Sequence, residues 1–159
     1  MSLGTIAIDR ENWKISCEPH VRNRLRRVFP QVSQRAGDHI SITRNAENAR
    51  DLLWFTQRYP LTVDKGTLKQ LKNLAHEHEE TETAVQTLLN AIHPPQDFEL
   101  AVPARDYQKI AANLLALKSG LLLVDDVGLG KTASAICSMC RSGNLPVLVV
   151  TLTHLPEQW

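Results

Sequence analysis

LLLVDDVGLGKTASAICSM, Leu121 to Met139, passes from an apolar run through a glycine-containing turn into a helix-compatible stretch. Strand, turn and then Gly-Lys-Thr opening a helix is the layout of a phosphate cradle. Gly128 and Gly130 allow positive φ and let the backbone approach an anion with no Cβ in between. Successive N–H groups then face the phosphates, and the helix N-terminus adds its partial positive charge. Asp126, Val127, Gly128, Leu129, Gly130, Lys131 and Thr132 are the expected loop contacts. Lys131, the candidate catalytic residue, would reach the β- and γ-phosphates of ATP, and the Thr132 hydroxyl would bind Mg²⁺. The opposing interpretation is an ordinary strand-to-helix turn that happens to contain Gly-Lys-Thr.

The pattern GxxxxGK[ST] asks for glycine where Asp125 stands. DDVGLGKT resembles the phosphate loop of the Swi/Snf-type ATPases, a superfamily-two helicase branch in which an acidic residue commonly takes that place. Two flanks agree with the resemblance. Arg105-Asp106-Tyr107-Gln108 resembles the family's adenine-recognition motif, and VLVVTLTHLPEQW, Val147 to Trp159, resembles the segment after the second core strand. Leu152 and His154 replace the family's usual proline and small hydroxyl residue, which weakens the DNA-contact role of Thr153 and His154. The likeness covers about Val102 to Trp159, little more than the last third of the chain.

That resemblance implies an ATP-dependent helicase or translocase that moves on nucleic acid, with DNA as the expected track. Gln108 would read the adenine edge through its amide, with Arg105 and Tyr107 beside it. Apolar Ile110, Leu114 and Leu117, with Ala111 and Leu115, predict the buried face of the helix after it. Leu121–Val124 and Val147–Val150 predict buried parallel strands, the start of a RecA-like α/β sheet. The family also needs an acidic DExH motif and a second motor domain with arginine fingers, neither of which these residues supply. The expectation is therefore an incomplete motor whose missing domain is supplied in cis, inactive as a hydrolase over these residues. The alternatives are a non-catalytic ATP- or DNA-binding module and an inert truncated product.

Charge is segregated. Met1 to Tyr59 holds ten Lys and Arg against six Asp and Glu, a net +4, whereas Pro60 to Leu100 holds three against seven, a net −4. The basic excess peaks at Arg22, Arg24, Arg26, Arg27 and Arg35. Val21, Leu25, Val28 and Phe29 would form the buried stripe of a helix over 20–29, leaving the arginines on its flanks. Either they make a solvated face, or Arg22 and Arg26 touch nucleic-acid phosphates with strong salt dependence.

Ahead of the motor-like segment, Thr5–Asp9 and Trp13–Cys17 predict a hairpin joined at Glu11-Asn12. His39–Ile42 alternates like a strand, Asn45 can cap a helix from Ala46 toward Tyr59, and Leu61–Val63 adds another strand. The expected division is a small α+β accessory domain over 1–64, a helical connector with a Pro-rich linker over 65–102, and the ATP-binding domain over 103–159. The connector is expected as two amphipathic helices, marked by Leu68, Leu71 and Leu74 and by Val85, Leu88, Leu89 and Ile92. HEHEETET would be a loop or exposed turn between them. His76-Glu77-His78 lacks the spacing of a zinc-binding helix pair, and Cys137/Cys140 lacks a second cysteine pair. Three cysteines, no signal-peptide layout and no membrane-length apolar run point to a cytoplasmic protein with no membrane partner.

Overall fold

The computed structural model describes residues 2–32, 37, 39–141 and 144–151. Among them lie four strands and five helices, in the order β1 (Gly4–Asp9), β2 (Asn12–Cys17), α1 (Pro19–Val28), β3 (His39–Thr43), α2 (Ala46–Arg58), β4 (Thr62–Val63), α3 (Lys65–Leu89), α4 (Asp106–Lys118) and α5 (Lys131–Met139). The chain is α/β and divides into two compact units, 1–80 and 81–159, with the boundary falling inside α3. No helix of the described residues is long and apolar enough to cross a membrane.

The first unit is built on a mixed sheet of order β3-β2-β1-β4. β1 runs antiparallel to β2 and parallel to β4, and β2 runs antiparallel to β3. The register aligns Ile6, Ile15 and Ile40 in one row and Ile8, Trp13 and Ile42 in the next. Strand side chains alternate between faces, so both rows lie on the same side. Trp13, Ile15, Ile40 and Ile42 are buried there with Val21, Leu25 and Phe29 of the α1 segment and Ala49, Leu52 and Phe55 of α2. Leu71 of α3 joins that core. Close packing reaches the backbone at Gly4, where an added Cβ would overlap the Ser16 carbonyl oxygen. The hairpin turn is Arg10-Glu11, one position earlier than expected, because Asp9 pairs with Asn12; Arg10 takes φ 56° to close it.

The local signals behind these helices are physical. Pro19 opens α1, where its missing N–H is one of the orphans of a helix start. Arg26 and Arg27 occupy the last turn of α1, where cations favour the negative end of the dipole. Asn45 caps α2 by accepting from the Asn48 N–H at 2.8 Å. Asp64 does the same for α3, accepting from the Gly66 and Thr67 amides at 2.9 and 3.0 Å. α3 then continues unbroken to Leu89, so HEHEETET is helical rather than a loop. That stretch contains no glycine or proline, and His76 and Glu80 pair one turn apart at 3.5 Å.

The second unit packs α4 against α5 around Phe98, Ala104, Ala112 and Cys137. The buried stripe of α4 is Gln108, Ala111 and Ala112; of the expected face Ala111 is buried, Ile110, Leu114 and Leu115 are half-buried, and Leu117 is exposed. Small residues at that stripe let the two helices approach closely. Asn113 ties the unit together: its amide donates to Pro95 O and Lys109 O, both at 2.8 Å, and its Oδ1 accepts from Arg141 at 2.9 Å. Residues 121–124 and 147–150 form no strand. A parallel strand exists only through its ladder partners, and these runs have none among the described residues. Leu122, Val124, Leu148 and Val150 are accordingly exposed. A RecA-like parallel sheet is thus not part of the described structure.

Candidate functional site

The second unit contains a cavity of about 370 Å³ where the start of α4 meets the loop before α5. Arg105, Tyr107 and Gln108 line it from one side, and Gly128, Leu129 and Gly130 from the other. Two short motifs about twenty residues apart in the chain therefore line one cavity. Leu100, Val102, Ala133 and Ile136 add an apolar surface. The size and the mixture of apolar wall with a few polar groups are those of a small-molecule site.

Hydrogen bonds lock the two motifs together. The Tyr107 hydroxyl donates to Leu129 O at 2.7 Å, and the Arg105 guanidinium donates to the Tyr107 oxygen at 3.2 Å. Gln108 is buried, and its Oε1 accepts from the Arg105 N–H at 3.0 Å, satisfying a donor at the helix entrance. One Oε1 lone pair and the amide Nε2 remain for other work. That nitrogen lies 3.2 Å from where a Cβ on Gly130 would sit. Glycine is therefore favoured at 130 by its φ of 79°, and a Cβ there would also crowd the Gln108 amide.

The loop itself has the features of an anion cradle. Gly128 and Gly130 both take positive φ, and Gly130 caps α5 in the left-handed conformation. The first helical bond of α5 is Ser134 N–H to Gly130 O at 3.1 Å, so helix geometry leaves the amides of residues 131–133 without intrahelical acceptors. Lys131 donates to Asp125 O at 2.7 Å and Asp126 O at 3.0 Å, which holds its ammonium over the loop. An ammonium has three donors, so one is left for a phosphate oxygen. Val127 stands at the exposed tip, and Thr132 is exposed in the first turn of α5. These residues fit a polyphosphate. For Mg²⁺ they offer one hydroxyl with the nearby Asp125 and Asp126. No group of three metal-binding side chains occurs among the described residues, so a bound Mg²⁺ would take most of its ligands from phosphate and water.

The other expected contacts fall elsewhere. Thr153 and His154 lie outside the described residues. Arg22 is held by the backbone of its own unit, donating to Gly37 O at 3.0 Å and Cys17 O at 3.2 Å. Arg26 lines a separate cleft of about 540 Å³ with Asn23, Arg27, Pro30 and Val32. Sequence reasoning missed Ala133, Ile136 and Cys137, whose i, i+3, i+4 spacing marks one face of α5. It also missed the apolar wall at Leu100–Val102, which carries no motif. Burial pushes the Cys137 thiol above its ordinary range, so it serves the cavity as a small neutral wall residue. No protein-family model, curated protein or solved structure matches the chain.

Proposed function

We propose that this chain is the ATP-binding N-terminal part of a Swi/Snf-like, nucleic-acid-dependent motor. The observation that carries the proposal is the single cavity shared by Arg105, Tyr107 and Gln108 with Gly128, Leu129 and Gly130. A base in that cavity would find the Gln108 amide, while its phosphates would extend over the loop toward Lys131 and Thr132. The RecA-like parallel sheet belongs to this proposal: 121–124, which have no ladder partner among the described residues, would become the strand leading into the loop once paired. Hydrolysis further requires an acid that holds Mg²⁺ and orients water, together with arginines that neutralise the transition state. The assignment to these residues is therefore the binding half of the reaction, in a cytoplasmic protein that tracks DNA.

The test is Mg-ATP binding by calorimetry, compared across Lys131→Ala, Gln108→Ala and GTP. Lys131→Ala is expected to weaken binding by at least tenfold, about the worth of a charge-assisted contact of 1.5–3 kcal/mol. Gln108→Ala is expected to reduce the preference for ATP over GTP. Equal binding by wild type and Lys131→Ala would sink the proposal.

A further inference from the structure

The first unit carries a second set of recognition features, remote from the nucleotide cavity in both chain and chemistry. α1 and α2 bury their apolar stripes against one face of the sheet, so their opposite surfaces form a common outer layer. α1 reads PHVRNRLRRV, four arginines with no acid. Arg22 donates to the Cys17 and Gly37 carbonyls, and Arg26 and Arg27 line the cleft of about 540 Å³ together with Asn23. Among the described residues, no acidic side chain lines that cleft. Its end of α1 adjoins the start of α2, where Gln31 donates to Asn48 Oδ1 at 3.4 Å.

α2 presents a different element. Trp54 is 48% exposed, although every other large aromatic on the helix-layer side of this unit is buried or half-buried. It stands one turn after Arg50 and one turn before Arg58, which places arginine, tryptophan and arginine along one helix face. The Arg58 guanidinium lies 5.7 Å from the Trp54 ring centroid, within cation–π range. Arg50 pairs with Asp51 at 3.0 Å, an exposed contact that a stronger anion would displace.

We propose that this outer helix layer binds single-stranded nucleic acid. The Asn23, Arg26 and Arg27 cleft holds backbone phosphate, and Trp54, flanked by Arg50 and Arg58, stacks an unpaired base. An indole fixed on a helix reaches a base only where the base is not already stacked in a duplex, which selects single strands. An acidic protein surface would satisfy the arginines but supply no flat partner for the ring. A membrane would require further apolar side chains around Trp54, where Arg50, Gln57 and Arg58 stand instead. The inference stands on the first unit alone and holds whether or not the loop before α5 binds ATP.

The experiment is fluorescence anisotropy of a labelled single-stranded oligonucleotide with the full chain in the absence of ATP, compared with the same sequence as duplex. Single strands are expected to bind more tightly. Trp54→Ala is expected to weaken that binding by about five- to a hundredfold, the worth of one base stack, and Trp54→Phe to restore most of it. The double variant Arg26→Gln/Arg27→Gln is expected to lower the slope of log affinity against log salt by about 1.4, or two phosphate contacts. Lys131→Ala should leave every one of these values unchanged, which separates this result from failure of the ATP site. Trp54 is exposed, so circular dichroism should show the variants folded. Equal affinity for duplex, or unaltered binding by folded Trp54→Ala, would overturn the proposal in favour of a plain electrostatic patch. Absence of single-strand binding by the wild type would overturn it outright.

Discussion

Gly130 meets two demands at one position. Its φ of 79° turns the chain from the loop into α5, and its missing Cβ makes room for the Gln108 amide. Gly128 meets only the first, since a Cβ there would find nothing within 4 Å. The pair therefore separates conformational strain from contact. Gly128→Ala is expected to lose about 1–2 kcal/mol for a left-handed residue bearing a side chain. Gly130→Ala should lose more, because the new methyl also pushes on Gln108 and disturbs its bond to the Arg105 amide. Urea unfolding followed by circular dichroism measures both, and equal midpoints for the two variants would show that the Gln108 contact is unimportant. In the sequence, the glycine requirement at 130 was visible as a phosphate-loop feature. The Gln108 contact was not, because nothing in the spacing of residues 108 and 130 states how α4 and α5 cross.

At the scale of elements, α3 shows how a cap and an uninterrupted run set a helix. Asp64 accepts from the Thr67 and Gly66 amides, and its carboxyl is held below the ordinary range, first by the Thr67 side chain and then by those amides. A lowered folded-state value means that the unfolded chain binds the proton more readily. The cap's contribution is therefore complete above the ordinary carboxyl range, near pH 4, and is lost as pH falls through the lowered value. Asp64→Asn keeps an oxygen acceptor but cannot titrate. Its thermal midpoint should fall less than that of the wild type between pH 6 and pH 3, and an identical decline in both would remove Asp64 from the acid response. The strands of the first unit were legible because Trp13, Ile15 and Cys17 alternate with polar neighbours and tight turns bound the runs. The sequence suggests a break in α3 because a polar run resembles a loop, yet Glu, His and Thr without glycine or proline do not stop a helix already under way. The α4 stripe was misplaced for a related reason. Apolar size points to Ile110, Leu114 and Leu117 beside Ala111, whereas the packing of α5 fully buries only Ala111 of these, together with Ala112 and a polar glutamine that caps its own helix.

Across the whole chain, the two sets of recognition features fall in separate units, and each makes a distinct demand on its ligand. The cavity at the start of α4 is lined wholly by residues after Thr81, and the basic helix layer lies wholly before Glu80. Charge alone leaves two readings of the first unit, a solvated face or phosphate contacts through Arg22 and Arg26, and the two arginines look equivalent in sequence. Only the fold shows that Arg22 holds the Cys17 and Gly37 carbonyls while Arg26 lines a cleft. Neither Trp54 exposure nor its place beside Arg58 has a sequence signature beyond the spacing of four. Hydrogen exchange with each ligand added separately tests this division. A ligand that binds only the folded site stabilises it by about 2.7 kcal/mol at a hundredfold excess over its dissociation constant, which slows local opening about a hundredfold. Mg-ATP is expected to slow amides over 105–108 and 128–134, and a single-stranded oligonucleotide those over 22–27 and 50–58. Lys131→Ala should erase the first pattern and keep the second, while Trp54→Ala should do the reverse. If Mg-ATP protected only 22–27, the arginine cleft would be a general polyphosphate site, and the case for the loop before α5 would fall with it.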